Sequence, residues 1–382
     1  MSLSYDQPDS TENVTQALEE NPSISTPMFN AISSVLGLSN PGGEVVVGSM
    51  DSSGNLTSPS GVIPQMIVVD ITNPAGQTVT VPINPALVLN KVWIFDTDAN
   101  INVRFNTTER VIVMGNGDDQ VIVLGDKDTT IDGSAGNDLL ILSGGNDNIT
   151  GGTGNDTILA GGGNDSITGG TGNDSILAGD GQDTIVAGVG LDTIVGGLGF
   201  DVLQVAGSVA QWTVSASGQV ITMTSTLDSG NAVQMSGVNF ISFGATIDQN
   251  GTQNSIVVTD GANDKDDAMR LYQTALDRSA DQAGAQYWLD GIDAGTESFI
   301  NVAASFLASN EYTTKYGTQT NAQFVEQMYQ NAFDRSADQA GLDYWLNSLN
   351  SGTSRASVLA SIASSSEAST EITNVVVVTG FI

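Results

Sequence analysis

Eight aspartates stand nine residues apart without a slip: Asp138, Asp147, Asp156, Asp165, Asp174, Asp183, Asp192 and Asp201. Two further columns keep the same step. Gly136, Gly145, Gly154, Gly163, Gly172, Gly181, Gly190 and Gly199 lie two places before the acids, and Leu140, Ile149, Ile158, Ile167, Ile176, Ile185, Ile194 and Leu203 two places after. Carboxylates repeated this regularly, among residues with free carbonyls, are suited to holding hard cations. Glycine permits the positive backbone angles and close approaches of tight turns, so half of each phrase is turn. The other half, such as Thr157-Ile158-Leu159, is a short strand whose middle side chain points away from its neighbours' side. Two phrases make one coil of strand, turn, strand, turn. Stacked coils bring Asp138, Asp156, Asp174 and Asp192 into one file, and Asp147, Asp165, Asp183 and Asp201 into the file opposite.

Such files cannot stand bare. Neighbouring carboxylates roughly 5 Å apart repel by about 3 kcal/mol per pair at an effective dielectric of ~20. Several pairs exceed the ~5–15 kcal/mol that holds an ordinary domain folded. No base relieves them, because no Lys or Arg occurs between Lys127 and Lys265. A dication does, and carboxylate plus carbonyl oxygens suit calcium. A disordered linker of the same composition would not need the unbroken aliphatic column.

Gly151-Gly152-Thr153-Gly154-Asn155-Asp156-Thr157-Ile158-Leu159 and Gly169-Gly170-Thr171-Gly172-Asn173-Asp174-Ser175-Ile176-Leu177 resemble the G-G-x-G-x-D-x-U-x nonapeptide of the RTX calcium-binding β-roll family. The resemblance implies a parallel β-roll with calcium between turns two phrases apart, each ion taking Asp oxygens and backbone carbonyls from both. By position, the eight aspartates would be the side-chain ligands of roughly six shared ions. Upstream the register loosens: Asp119 and Asp128 are nine apart, but Asp128 to Asp138 is ten. These two are further candidate ligands at the end of the array.

The 382 residues carry a net charge of −33 and neither Cys nor His. The acidity argues against nucleic-acid and anionic-membrane partners. Without Cys there is no disulfide framework. Without His there is no Ser-His-Asp triad, His general base or His-ligated zinc. No apolar stretch reaches transmembrane length, and no membrane insertion is expected. The start, Met1-Ser2-Leu3-Ser4-Tyr5-Asp6, lacks the basic and apolar regions of a cleaved signal. RTX relatives are exported by type I secretion machinery, which reads an uncleaved C-terminal segment. The tail from Glu371 through Val375-Val376-Val377-Val378 to Phe381-Ile382 resembles one, and would equally suit a final β-strand.

Around the array the expected fold is mainly β with α: a parallel β-roll flanked by β-rich segments, then a C-terminal all-helical tandem-repeat domain. Residues 1–42 form a polar arm in which Met28, Phe29, Ile32, Val35 and Leu36 mark one amphipathic helix. The helix either packs on its own chain, which we favour, or docks on another subunit. Residues 43–114 hold short alternating strands such as Val92-Trp93-Ile94-Phe95, with turns such as Asn73-Pro74-Ala75-Gly76, consistent with a β-sandwich or with irregular coils leading into the roll. Residues 115–204 are the roll and 205–259 a β-rich cap for its open edge. Residues 260–370 are helical, and 371–382 the tail.

The helical segment doubles itself. Leu276-Asp277-Arg278-Ser279-Ala280-Asp281-Gln282-Ala283-Gly284 returns as Phe333-Asp334-Arg335-Ser336-Ala337-Asp338-Gln339-Ala340-Gly341, and Tyr287-Trp288 as Tyr344-Trp345, at a period of 57. It resembles a tandem helical domain of an uncharacterised family common in bacterial secreted and surface-layer proteins. Asp277, Ser279 and Asp281 open like an EF-hand loop, but Gln282 replaces its turn glycine and Trp288 its bidentate Glu, so an interhelix turn is expected. The two Tyr-Trp pairs are expected in the core rather than as a sugar-stacking platform.

Within the roll the ninth place is Ile141, Leu159, Leu177 and Val195 in one set of phrases, against Thr150, Thr168, Val186 and Gln204 in the other. One outer sheet would therefore carry an apolar stripe, either covered by chain or neighbour or tolerated in water. The function expected is that of a secreted, calcium-folded structural protein, not an enzyme, that associates with itself as a surface-layer or matrix-fibre subunit. Alternatives are a monomeric secreted adhesin or carbohydrate-binding module, with cell-surface polysaccharide as a partner, and, less favoured, an RTX-type secreted hydrolase.

Overall fold

A computed structural model of the chain describes residues 9–21, 24–36, 38–39, 44–51, 56–57, 64–70, 77–82, 92–105, 110–244, 255–260 and 262–378. The turn at Asn73–Gly76, the first eight residues and the final Phe381-Ile382 lie outside them. Two compact units divide the chain: Met1–Leu203 with Asp228–Gly237, and Gln204–Leu227 with Val238–Ile382.

The first unit is a parallel β-solenoid. Successive strands alternate between two sheets, and each pairs in parallel with the strand two ahead. Asn148–Thr153, Ser166–Thr171 and Thr184–Val189 stack in one sheet, Leu139–Ile141, Thr157–Gly162, Ser175–Asp180 and Leu191–Leu198 in the other. The register is one coil of two phrases, so that Ile149 faces Ile167 and Ile158 faces Ile176. The eighth column therefore lies in an unbroken internal stack, and all eight of its members from Leu140 to Leu203 are buried. Such stacking removes apolar area from water at each rung, which is the main stabilising term for a short repeat that cannot fold alone.

The region 43–114 is not a sandwich. Val47–Met50, Met66–Asp70, Val92–Asp96 and Arg110–Val113 pair in parallel, one after another, and pass the sheet on to Thr129–Asp132. Thr78–Val81 and Asn100–Phe105 lead in the same way to Gln120–Val123. These are irregular coils of the same solenoid. Their interior is aromatic where the roll's is aliphatic, with Trp93 edge-on to Phe105 at a centroid distance of 5.3 Å. At the other end Ala232–Ser236 adds in parallel to Leu191–Leu198.

The N-terminal arm forms two helices, α1 (Thr11–Glu19) and α2 (Thr26–Leu36). Val14, Leu18, Met28 and Ile32 join one buried cluster with Val68, Ile94, Val111 and Val113. The arm thus packs on its own chain, against the outer face of the irregular coils. Ser10 caps α1 by accepting from the Asn13 N–H, as expected of an N-terminal serine.

The second unit contains a hairpin, Trp212–Ser217 with Val220–Ser225, and a small sheet in which Ser255–Thr259 pairs with Phe240–Phe243 and with the tail strand Val375–Val377. Its helices are α3 (Lys265–Leu276), α4 (Gln282–Asp293), α5 (Phe299–Ala308), α6 (Asn310–Tyr316), α7 (Asn321–Phe333), α8 (Gln339–Asn350), α9 (Arg355–Ala363) and α10 (Ser366–Glu371). The repeated nonapeptide there is a helix-to-helix turn. Asp277 and Asp334 end α3 and α7 in the left-handed region, at φ 54° and 49°. Asp281 and Asp338 then cap α4 and α8 by accepting from Gly284 N–H at 2.8 Å and Gly341 N–H at 2.7 Å. Arg278 lies over the Tyr272 ring and pairs with Glu311, and Arg335 repeats this with Tyr329 and Glu367. With Asp281 committed to a helix cap and to Arg278, the segment is an interhelix turn rather than a calcium loop.

One expectation for this unit is corrected. Tyr287 and Tyr344 are not core residues: they are 63% and 62% exposed. Each stands edge-on to its neighbouring Trp, at 4.8 and 4.7 Å between centroids. The tryptophans are half-buried. Helical phase explains the split, since adjacent residues on a helix point about 100° apart, so only one of a Tyr-Trp pair can face inward fully.

Candidate metal centre

Each aspartate of the array sits where a turn delivers the chain into a strand, and each is buried. The turn itself depends on glycine. At the fourth place φ is positive throughout, and a Cβ on Gly163 would lie 1.9 Å from the carbonyl oxygen of Gly145, one coil back. Only glycine lets consecutive turns nest this closely.

The two oxygens of each carboxylate have different fates. Oδ1 accepts from the main-chain N–H one coil earlier: Asp156 from Asp138 at 2.9 Å, Asp174 from Asp156 at 2.9 Å and Asp192 from Asp174 at 3.0 Å. In the opposite file Asp147 accepts from Thr129, Asp165 from Asp147, Asp183 from Asp165 and Asp201 from Asp183. Oδ2 of Asp119, Asp138, Asp147, Asp156, Asp165, Asp174, Asp183 and Asp192 is buried without a hydrogen-bond partner. A buried acceptor left unpaired costs about 1–3 kcal/mol, more when charged. A file of them is unstable unless something positive reaches it.

Burial raises the pKa of every one of these acids. Desolvation pushes Asp138 up to about 8, Asp147 and Asp201 to about 7, and Asp156 and Asp165 to about 6. Asp174, Asp183 and Asp192 are raised for the same reason. Hydrogen bonds from the backbone oppose the shift, and neighbouring acids of the file add to it in most cases.

The structure assigns the two uncertain acids differently. Asp119 joins the file: its Oδ1 accepts from Ile101 N–H at 2.6 Å, its N–H donates to Asp138, and burial pushes it up to about 7. Asp128 does not. It is exposed, and its Oδ1 accepts from Asn146 N–H at 2.8 Å. The buried position in that coil belongs to Thr129, which donates to Asp147. One residue more separates Asp119 from Asp138 than separates later file members, so counting nines from Asp119 lands one column early.

That column is a second ladder, which the sequence reading missed. Asn137 Oδ1 accepts from Asn155 N–H at 2.8 Å, and Asn155 Oδ1 from Asn173 N–H at 2.7 Å. Asn146 and Asn164 repeat it on the opposite edge. The signal was present as Asn-Asp pairs at five successive turns, from Asn137-Asp138 to Asn173-Asp174. Asparagine reaches forward one coil where aspartate reaches back, so neighbouring coils are tied in both directions.

These residues fit calcium. The donors are all oxygens, and a main-chain carbonyl approaches the unpaired carboxylate oxygen, as at Asp156: the Gly169 carbonyl and Asp156 Oδ2 both lie 2.5 Å from the place a Cβ on Gly151 would occupy. Among the described residues no three acidic side chains cluster, so backbone carbonyls must complete each site, as calcium's flexible coordination allows. Bound there, calcium supplies the charge that lets the buried carboxylates ionise.

Family comparisons agree with this geometry. The RTX calcium-binding nonapeptide repeat (4 copies) matches residues 114–149, 123–158, 142–176 and 168–203. A domain of unknown function, DUF4214, matches residues 259–311 and 303–372. No curated protein matches the chain at a significant level. Residues 114–203 are thus RTX calcium-binding nonapeptide repeats folded as a parallel β-roll, and residues 259–372 carry two copies of a helical domain whose function is not known.

Proposed function

We propose that this chain is a structural, non-catalytic protein of the bacterial cell exterior, exported with its acidic repeats open and closed by calcium outside. The observation that carries the reading is the line of buried, unpaired Oδ2 atoms, which makes the closed roll unfavourable without a cation. Low calcium inside a cell leaves such sites largely empty, and millimolar calcium outside fills them, so folding follows export by mass action. Type I secretion suits a chain that is unfolded until it emerges. No helix among the described residues is long and apolar enough to cross a membrane.

The closed roll then joins copies of itself, as a surface layer or matrix fibre. In support, Leu177 and Val195 of the apolar stripe are 42% and 38% exposed on one sheet, and Val189, Leu191 and Leu198 are exposed at the turns of the last coils. Leu177 and Val195 are cross-strand neighbours, and exposed apolar neighbours of this kind favour contact with another molecule. Electron microscopy and light scattering of the purified chain test this: ordered particles are expected in millimolar calcium and monomers in chelator. Monomers in both would leave calcium-dependent folding intact and remove assembly.

The exposed Tyr287 and Tyr344, each against a Trp, favour a second reading in which the helical domain binds cell-surface polysaccharide. Aromatic faces of this kind stack on sugar rings. A glycan-binding screen of the chain in calcium, with Y287A and Y344A as controls, separates the two.

A further inference from the structure

The glycine that opens each phrase is not kept throughout. Gly133, Gly151 and Gly169 open the phrases of Asp138, Asp156 and Asp174 on one edge of the roll, whereas Leu142, Ala160 and Ala178 open those of Asp147, Asp165 and Asp183 on the other. In the last coil the order is exchanged, with Ala187 before Asp192 and Gly196 before Asp201.

At these four glycines φ is not positive, so backbone conformation alone does not demand glycine. Space does. A Cβ on Gly133 would lie 2.4 Å from Asp138 Oδ2 and 2.4 Å from the Gly151 carbonyl oxygen. On Gly169 the corresponding distances are 2.6 Å to Asp174 Oδ2 and 2.4 Å to the Ala187 carbonyl, and on Gly196 they are 2.6 Å to Asp201 Oδ2 and 2.3 Å to the Gly237 carbonyl. Gly151 is alike, at 2.5 Å to both of its oxygens. Carbon and oxygen do not approach this closely without bonding. Each glycine phrase thus leaves a space free of carbon bordered by a carboxylate oxygen and a main-chain oxygen of the next coil. Leu142, Ala160, Ala178 and Ala187 carry a carbon at that place, and their side chains are buried, so in those phrases a carbon competes for the space beside the carboxylate.

Calcium holds its oxygens at about 2.3–2.6 Å, and its affinity follows their number and the rigidity of their placing. We infer that the roll has two classes of calcium site: tight ones at Asp138, Asp156, Asp174 and Asp201, and weaker ones at Asp147, Asp165, Asp183 and Asp192. Along the coils of Asp138 to Asp183 one edge closes at low calcium and the other only near saturation, and in the last coil the two edges exchange. At the weaker sites the buried methyl and isobutyl groups give apolar contact that needs no ion. The inference rests on calcium binding by the aspartate files and not on assembly.

Calorimetric titration of the chelator-stripped full chain with calcium, with bound metal counted by atomic emission, tests it. The expected isotherm has two phases. A160G/A178G removes the two carbons and should move its two sites into the tight phase at unchanged total calcium, and G151A/G169A should weaken its sites about tenfold. Because A160G/A178G only removes atoms, it reads the effect even where G151A/G169A disturbs folding. A single phase whose midpoint neither double variant moves would overturn the inference while leaving calcium binding in place. No uptake at all by the unaltered chain would sink the calcium reading, and the inference with it.

Discussion

The backbone N–H of Asp138 donates to Oδ1 of Asp156 at 2.9 Å, while Asp138 offers its own Oδ1 to the N–H of Asp119 at 2.8 Å. Each acid is therefore a link in a chain of main-chain hydrogen bonds before it is a ligand. The ladder explains why the acids are held in one orientation, with Oδ2 the oxygen left over at Asp138, Asp156 and Asp174. It also separates two properties that a simple charge argument merges: shape, which an amide can supply, and charge, which it cannot.

Replacing Asp156 and Asp174 together by Asn tests that separation. The amide oxygen can still accept from Asp138 and Asp156 N–H, and two negative charges disappear from the file. In chelator the variant should melt higher than the unaltered chain, because neighbouring repulsion and desolvation are relieved. In calcium it should melt lower and bind fewer ions. Thermal melts followed by circular dichroism in the two conditions give the comparison, and a loss of stability in both would show that the carboxylates act only through packing.

Acidity should shift the metal-free roll in a definite direction. The folded-state values reach about 8 at Asp138, about 7 at Asp119, Asp147 and Asp201, and about 6 at Asp156 and Asp165. In the unfolded chain these groups titrate near 3.9. The folded form thus holds more protons between those limits, so its stability is greatest below the unfolded values and is lost as pH rises through about 6 to 8. In chelator the roll should be more resistant to denaturant at pH 5 than at pH 8. Calcium competes with the same protons, so its affinity should rise over the same interval. Denaturant titrations at both pH values, with and without calcium, check the sign.

Two adjacent glycines should behave oppositely. A Cβ on Gly163 would meet the Gly145 carbonyl at 1.9 Å with φ at +119°, whereas on Gly162 its nearest neighbour is 3.8 Å away. G163A should destabilise the calcium-loaded roll by about 3–5 kcal/mol, and G162A should stay within about 0.5 kcal/mol. Equal effects in chemical denaturation would mean that close nesting of the turns does not set the stability of the roll.

The roll was legible in the sequence because its period is its geometry: a residue every nine positions is the same place on alternate edges, so Asp156 and Ile158 announce both site and core. The upstream coils were not, since the connections between Val47–Met50, Met66–Asp70 and Val92–Asp96 vary in length and erase the period while parallel pairing survives. Asp128 misled for a related reason. A single extra residue between Asp119 and Asp138 moves the nine-step count onto the asparagine column, and composition cannot distinguish an acid in that column from one in the file. The asparagines carry no role that spacing alone reveals, and hydrogen bonds such as Asn155 N–H to Asn137 Oδ1 give them one. Exposure of Tyr287 was hidden because a Tyr-Trp pair on a helix has no periodicity that says which ring faces out.

The outer stripe gives the test on which assembly depends. Ile141 and Leu159 are half-buried while Leu177 and Val195 are exposed, so the apolar face opens toward the later coils of the roll. The ninth-place side chains point away from the aspartates' interior, and changing them leaves the calcium ligands untouched. L159D/L177D should therefore bind calcium and fold as before, yet form smaller particles in light scattering at millimolar calcium. Each new carboxylate would have to be desolvated in a contact between copies, at a cost of several kcal/mol. Unchanged particle size would remove this face from assembly, and calcium uptake equal to that of the unaltered chain would show that the loss of particles, where seen, comes from the surface and not from the fold.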